Sequence, residues 1–455
     1  MIRSKAKDRP RLSVGFVSLG CPKNLVDSQI MADVLLTEGV RLAPSPEKAD
    51  AVIVNTCAFI DAARRESMDA IRAVCRLKRQ GRCRAVLVCG CLPQRYKGAL
   101  KAGLPAVDAF VGLDELRQIG AIVKRLAGGE RDIVAVSDES HALFDPDGPG
   151  VSFTGGPFAY VKIAEGCNHR CSFCAIPGIR GRFRSRPLRG IVREAERHLS
   201  RGMKELNLVS QDITAYGRDL ADGTDLCGLL TALGRLGGSF WIRLLYAYPT
   251  RVSARLLETM AAVPQVCHYL DVPIQHSAPA MLRAMRRADT IRPVAQLAGR
   301  ARAVLPDVAL RTTCLVGFPG ETEADFAHLL RHLRTAQYDH VGAFVYSPEE
   351  DTPAFGMPRV PPREVAEERR RRLMLAQKRV VARKAAARVG TEAEVLIERP
   401  VSPGGRVWAG RSRRDAPRID GEVLVRGVPA GIKPGAFVPV RYTAPADYDM
   451  KAVAV

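Results

Sequence analysis

Residues 166–174 read Gly166-Cys167-Asn168-His169-Arg170-Cys171-Ser172-Phe173-Cys174. Three thiols spaced C-x3-C-x2-C fall within eight residues, too tight for an ordinary strand or a regular helix, so they belong to a loop. A loop this short wraps three thiolates around one face of an iron–sulfur cube, where a closed cluster needs four ligands. The iron left open is a place for a small molecule to bind and receive an electron, as a catalytic metal site keeps an open position. Zinc is the competing reading, but structural zinc takes four protein ligands, usually as two separated pairs. His169 as the fourth ligand would sit between two of the cysteines, where its ring reaches the same metal only with difficulty. A chance group of core cysteines would not normally keep this spacing.

Working outward, the whole chain sets bounds. With 455 residues it exceeds one ordinary core, and two to four domains are expected. Hydrophobic residues make up 47% and charged residues 26%, which excludes wholesale disorder. No apolar run approaches a bilayer span, and the basic start, Met1 to Lys7, is not followed by an apolar signal core. A soluble cytoplasmic protein with no membrane association is the expectation. Twelve cysteines in such a chain favour metal or redox chemistry over disulfides. Cys227, Cys267 and Cys314 lie in apolar surroundings and read as small core residues. The formal charge of +21 suits a phosphate-rich partner such as ribosome, RNA or DNA, although the excess of arginine over lysine also fits a composition bias.

Residues 12–127 alternate short apolar runs with amphipathic stretches, the pattern of a parallel α/β sheet. Three runs share an ending: Ser13 to Gly20 ends at Cys21, Ala51 to Thr56 at Cys57, and Ala85 to Gly90 at Cys91. Helices are expected over 24–38, 60–79 and 93–102. Parallel strands place their carboxyl ends along one edge, where open α/β folds bind ligands. The three cysteines, about 35 residues apart in sequence, should therefore converge into a second three-thiol cradle. Strands often hold buried cysteines, but three in one structural slot do not fit that reading. Cys89 competes with Cys91, and Cys91 is preferred because it follows Gly90 as Cys21 follows Gly20. Cys75 and Cys83 read as bystanders.

Residues 128–156, rich in glycine and proline, read as a mobile connector after a short N-terminal extension over 1–11 and the sheet domain. The βα alternation resumes over 157–388, with strands expected at 158–164, 205–210, 241–247, 268–274, 309–317 and 340–346. Six units predict a curved, incomplete (β/α)6 barrel, with the cysteine loop after its first strand at the end where such barrels keep their sites. Ser210-Gln211-Asp212 and Gly317-Phe318-Pro319-Gly320-Glu321 end two further strands at that mouth. The second is also an ordinary strand-to-helix turn with a glutamate near a helix N-terminus. Gln275 and His276 end the fourth strand as candidate substrate contacts, though a lone histidine is more often structural. Ile179 to Arg189 carries five arginines within ten residues and no acid, including Arg182, Arg184 and Arg186. These would bind carboxylate or phosphate of a substrate, or form a solvated basic loop.

A helix over 362–388 carries a strongly basic face that includes Arg369 to Arg372. Short β runs follow at 392–398, 405–409, 421–426, 437–442 and 450–455, which predicts a small OB-like barrel over 389–455. Few aromatics accompany it, so a base-stacking platform is poorly supported and protein binding is equally open.

The C-x3-C-x2-C spacing, with Phe173 before the last cysteine, resembles the radical S-adenosylmethionine (SAM) superfamily. The three-part plan, over about 12–455, resembles the radical SAM methylthiotransferases, which end in a TRAM domain. Ser18-Leu19-Gly20-Cys21-Pro22-Lys23-Asn24-Leu25-Val26-Asp27-Ser28 is similar to the RimO-type branch, as are Cys174-Ala175-Ile176-Pro177, Gly181 to Pro187, Asp415 to Gly421 and Asp447-Tyr448-Asp449. Cys314 and Arg418 depart from the usual pattern but are not ligand positions. The resemblance implies two [4Fe–4S] clusters: an auxiliary one on Cys21, Cys57 and Cys91, and a SAM-binding one on Cys167, Cys171 and Cys174. In such a fold Phe173, Gln211, Gly317, Gly320 and Glu321 would line the SAM pocket. The implied reaction is methylthiolation of an aspartate β-carbon in small-subunit ribosomal protein twelve, free or in the subunit, with a possible rRNA contact. One SAM would give the methyl group and another a 5′-deoxyadenosyl radical. A monomer served by an electron donor and a sulfur donor is expected. A tRNA adenosine methylthiotransferase is the nearest alternative, and a non-catalytic metal-containing RNA-binding protein is the alternative of another class.

Overall fold

The computed structural model describes residues 12–145, 148, 150–401, 404 and 406–455. The extension over 1–11 lies outside them, as do three connector residues and the first residue of the strand expected at 405–409. Two compact units divide the chain. The first comprises the residues up to Phe153 together with Glu165–Asn168 and Ala175–Phe183; the second comprises Thr154–Ala164, His169–Cys174 and Arg184–Val455.

The first unit is built on β1 (Ser13–Ser18), β2 (Arg41–Leu42), β3 (Ala51–Thr56), β4 (Ala85–Gly90), β5 (Ala109–Val111) and β6 (Ile133–Ala135). They form one parallel sheet in the order β2-β1-β3-β4-β5-β6. Every residue of β3 and β4 is buried, which explains why these runs are continuously apolar and do not alternate. Helices α1 (Pro22–Thr37), α2 (Asp61–Arg79), α3 (Cys91–Tyr96), α4 (Ala99–Gly103) and α5 (Ile119–Ala127) belong to this unit. On α2 the buried residues are Ser67, Ile71, Val74 and Cys75, one stripe at helical spacing. Cys75 and Cys83 sit in the apolar core.

Two expectations are corrected here. The single helix over 93–102 is two short helices, because Lys97 adopts φ +48 and ends the first. The connector is also more structured than its glycine and proline content predicts. Residues 133–135 add the sixth strand, paired to β5. Asp114 accepts hydrogen bonds from Ser140 Oγ and from the N–H groups of His141 and Ala142. Asp33, on α1, accepts from the N–H groups of Gly150 and Val151. Two carboxylates thus strap the segment to the unit.

The second unit holds β7 (Phe158–Lys162), then, after the two-residue strands β8 (Ala164–Glu165) and β9 (Arg184–Ser185), β10 (Glu205–Val209), β11 (Trp241–Leu244), β12 (Val266–Asp271), β13 (Ala309–Val316) and β14 (His340–Val345). The long strands form an open parallel sheet in the order β14-β13-β12-β11-β10-β7, the incomplete barrel that six βα units predict. Between α6 (Ile176–Arg180), which belongs to the first unit, and the chain's end come α7 (Leu188–Ser200), α8 (Leu226–Gly234), α9 (Ala254–Ala262), α10 (Pro279–Ala284), α11 (Ile291–Val304), α12 (Glu323–Ala336) and α13 (Arg363–Arg388). Thr322 caps α12 through a reciprocal capping box with Asp325. On α13 the basic face is not wholly solvated: Arg369 is buried and donates to Glu321 at 2.8 Å.

The last five strands, β15 (Glu392–Pro400), β16 (Val407–Ser412), β17 (Val423–Arg426), β18 (Phe437–Ala446) and β19 (Asp449–Ala454), close into a barrel. Val395, Ile397, Val425 and Val440 fill it. Its β16–β17 loop reaches the amino-terminal ends of the parallel strands. Tyr269 Oη donates to Asp420 at 2.6 Å, Arg243 to the Arg413 carbonyl at 2.7 Å, and Arg414 to Asp339 at 2.7 Å.

Candidate iron–sulfur and cofactor sites

The carboxyl ends of β1, β3 and β4, neighbours in the first sheet, deliver Cys21, Cys57 and Cys91. Cys21 stands just before α1, Cys57 follows the last residue of β3, and Cys91 opens α3. Gly20 and Gly90 precede two of them at φ +85 and +94, conformations that glycine adopts without strain. Space demands glycine as well. A Cβ on Gly20 would fall 2.8 Å from the Cβ of Cys57, and one on Gly90 would fall 2.3 Å from Asn55 Oδ1. Cys89 is fully buried within β4, where it pairs with Asn55 and Val111, one strand on each side.

Cys57 and Cys91 are buried while Cys21 is half-buried. Burial pushes the Cys57 thiol up, and it pushes Cys91 up to about 12 against the opposing pull of Arg180. Thiols in this state ionise only with a cation to compensate, which is how a metal cluster takes up cysteine as thiolate. Part of that compensation is built in. Arg180, 1% exposed, donates through Nη2 to Asn24 Oδ1 at 2.6 Å, to Asp27 at 2.8 Å and to Cys91 Sγ at 3.4 Å. Its Nη1 donates to Glu165 at 2.8 Å. Burial opposes the guanidinium charge, yet Cys91, Glu165 and Asp27 outweigh it and hold the arginine well above its ordinary range.

The Cys167 to Cys174 loop is pinned on both flanks. Gly166 has φ +77, and a Cβ there would meet the Arg182 carbonyl oxygen at 2.0 Å. The Cys167 N–H donates to Gly181 O at 3.1 Å, and the Phe183 N–H to Asn168 Oδ1 at 3.0 Å. Further on, the Cys174 N–H donates to Cys171 O, and Ser172 bonds to the Met285 and Ala284 carbonyls. Arg287 donates to Cys171 Sγ at 3.5 Å. Each of the three thiols is half-buried. His169 is engaged elsewhere: it stacks on Tyr248 with centroids 3.6 Å apart, and its Nε2 lies 2.7 Å from Asp212. That removes it as a fourth zinc ligand. Among the described residues, no three histidine, cysteine, aspartate or glutamate side chains close on the position of a single ion.

The remaining predicted residues divide. Phe173 meets Phe318 edge to face at 6.4 Å, which sets it beside the Gly317–Glu321 turn. Gly317 and Gly320 both have positive φ. Glu321 is buried, and its carboxylate accepts from the Gly317 N–H, from Arg369 and across 3.2 Å from His276. These bonds shape the turn. His276 is also fully buried, with Nδ1 accepting from the Ala278 N–H. Gln275 sits at φ +67, its backbone bridged to Thr313 and Leu315, with a half-buried side chain. Gln211 is half-buried past the carboxyl end of β10. In the arginine run Arg182 is exposed and Arg184 half-buried, but Arg186 is 1% exposed and bound to Glu194 and to the Lys162 carbonyl. Buried and paired, Arg186 braces β7 against α7. Arg287 escapes sequence reasoning, and Arg180 reads only as part of the arginine run, since nothing local marks either as touching a cysteine sulfur.

Comparison with known proteins agrees with these parts. Residues 13–112 match the family described as Uncharacterized protein family UPF0004, 161–333 the radical SAM superfamily, and 389–455 the TRAM domain. Among solved structures, the radical SAM methyltransferase TsrM from Kitasatospora setae, with cobalamin and a [4Fe–4S] cluster bound, superposes with a TM-score of 0.57 at 14% identity. It covers 76% of this chain and 77% of its own, a likeness of fold. The fold and the cysteine loop define a radical SAM protein, a class whose chemistry rests on an iron–sulfur cluster and SAM. The ribosomal protein uS12 methylthiotransferase RimO of Syntrophus aciditrophicus is 46% identical over 97% of this chain and 98% of its own length. That of Geobacter sulfurreducens is 42% identical over 98% of both, and that of Symbiobacterium thermophilum 44% identical over 96% and 90%. The chain belongs to the RimO family of uS12 methylthiotransferases.

Proposed function

We propose that this protein methylthiolates the β-carbon of an aspartate in ribosomal protein uS12, with SAM as both methyl donor and radical source. The observation that carries the reading is the chain's full-length likeness to uS12 methylthiotransferases, joined to two separate three-cysteine sets of its own. An aliphatic C–H has no useful acidity, so acid–base groups cannot activate it, whereas a [4Fe–4S] cluster with an open iron supplies, with SAM, a radical able to take its hydrogen. Cys167, Cys171 and Cys174 would hold that cluster, with Arg287 donating to Cys171. Cys21, Cys57 and Cys91 would hold a second, which serves as the station for sulfur. Phe173 and the Gly317–Glu321 turn would border the SAM pocket.

The formal charge of +21 fits a substrate that sits among phosphates, and rRNA contact would follow from it. Among the described residues no helix is long and apolar enough to cross a membrane. A cytoplasmic monomer fed by an electron donor and a sulfur donor completes the reading. Mass spectrometry of uS12 and tRNA from cells lacking this chain tests it. The methylthio increment should vanish from uS12 and persist in tRNA; loss from tRNA alone overturns the assignment. Anaerobically purified protein should carry about eight irons per chain, as two four-iron clusters require.

A further inference from the structure

A fully buried arginine needs a reason. The Arg180 guanidinium has left water entirely, a transfer that costs several kcal/mol before partners offset it. Two carboxylates, Asp27 and Glu165, already exceed its single charge. An ion pair built for stability alone would end there. Instead Nη2 also faces Asn24 Oδ1 and the sulfur of Cys91 at 3.4 Å, and Asn24 in turn donates to the Thr56 carbonyl, one residue before Cys57. The planar fork of arginine allows this, with one nitrogen on Glu165 and the other on the cradle. Lysine, a point charge, would not hold both ends.

We propose that Arg180 is a positioning residue of the Cys21/Cys57/Cys91 cradle, which fixes the Cys91 sulfur and raises the reduction potential of the cluster held there. The inference rests on the two-cluster reading above. Hydrogen bonds to ligand sulfurs and nearby positive charge both favour the reduced, more negative state of a cluster. Asp27 acts in the opposite sense, its carboxylate tempering the charge that Cys91 feels. Potential is therefore set by a pair, with Arg180 pushing it up and Asp27 pulling it down.

The test uses the full-length chain with Cys167, Cys171 and Cys174 changed to alanine, reconstituted anaerobically, so that the cradle alone carries a cluster. Its potential is read by a redox titration followed by electron paramagnetic resonance. In that background Arg180→Met should shift the potential to more negative values, Arg180→Lys should shift it less, and Asp27→Asn should shift it to more positive values. Asp27→Asn preserves shape, so it and Arg180→Lys decide the matter if Arg180→Met fails to fold. A purely structural arginine would lower stability and leave the potentials unmoved, and unmoved potentials in loaded variants overturn the inference alone. If the alanine background takes up no four-iron cluster, the two-cluster reading falls and this inference with it.

Discussion

A Cβ placed on Gly317 would fall 2.4 Å from the Cβ of Ala366. The strand-end turn and the bridging helix α13 therefore touch where a side chain has no room. Arg369, one turn further along α13, bonds to the Glu321 carboxylate that also receives the Gly317 N–H. Turn and helix behave as one piece. Gly317→Ala should destabilise the protein by about 1–3 kcal/mol, through the clash and through the positive φ of this residue. Ala366→Gly added to it should recover only part, since the backbone strain stays. Chemical denaturation of the variants measures this, and full recovery would show that the clash alone matters.

Glu205 sits fully buried between Arg243 at 2.7 Å and Arg411 at 2.5 Å. Burial raises its pKa, but the two guanidiniums win and hold it below the usual carboxylate range. The stabilisation is thus present above the unfolded glutamate value of about 4.3 and is lost as pH falls through the lower folded value. Glu205→Gln should remove it at neutral pH, leave two buried cations short of an anion, and cost about 3–5 kcal/mol. An unfolding midpoint equal to the parent's would contradict this account.

The two cysteine sets should separate in assays. Cys167→Ala is expected to abolish SAM cleavage, followed as 5′-deoxyadenosine. Cys57→Ala should leave cleavage measurable, eliminate methylthio transfer and lower iron content from about eight to about four per chain. Equal loss of cleavage in both variants would sink the division of labour.

His332 gives the fold an acid sensitivity. Burial, reinforced by His328 and His276, lowers its pKa from 6.5 to about 4, so the folded chain keeps the ring neutral. Its stabilising contribution is complete above the ordinary histidine value and fades as pH falls from there towards 4, by no more than about 3 kcal/mol. His332→Leu should flatten that part of the stability profile between pH 7 and 4, measured by urea titration at several pH values.

Much of this architecture is legible in the chain. The strands ending at Cys21, Cys57 and Cys91 show through because both-face burial demands unbroken apolar runs, and the tail shows through its glycine and proline turns. What sequence hides is pairing at a distance. Arg180 and Arg186 read as members of a basic run that either binds an anion or is solvated, since Asp27 and Glu165 lie far from Arg180 in sequence and Glu194 belongs to the following helix. The connector reads as loose because Asp33 and Asp114, which bind it, look like ordinary helix-surface acids. His276 reads as a candidate contact because it ends a strand, and its partner Glu321 lies 45 residues further on.

The TRAM barrel is bolted to the parallel strands through Asp420 on Tyr269, Arg411 on Glu205, Arg414 on Asp339, and Trp241 packed on Phe437 with centroids 5.0 Å apart. A module fixed by so many buried polar bonds works as a caliper and not as a tethered hand. Barrel and strands should therefore unfold together as one cooperative block.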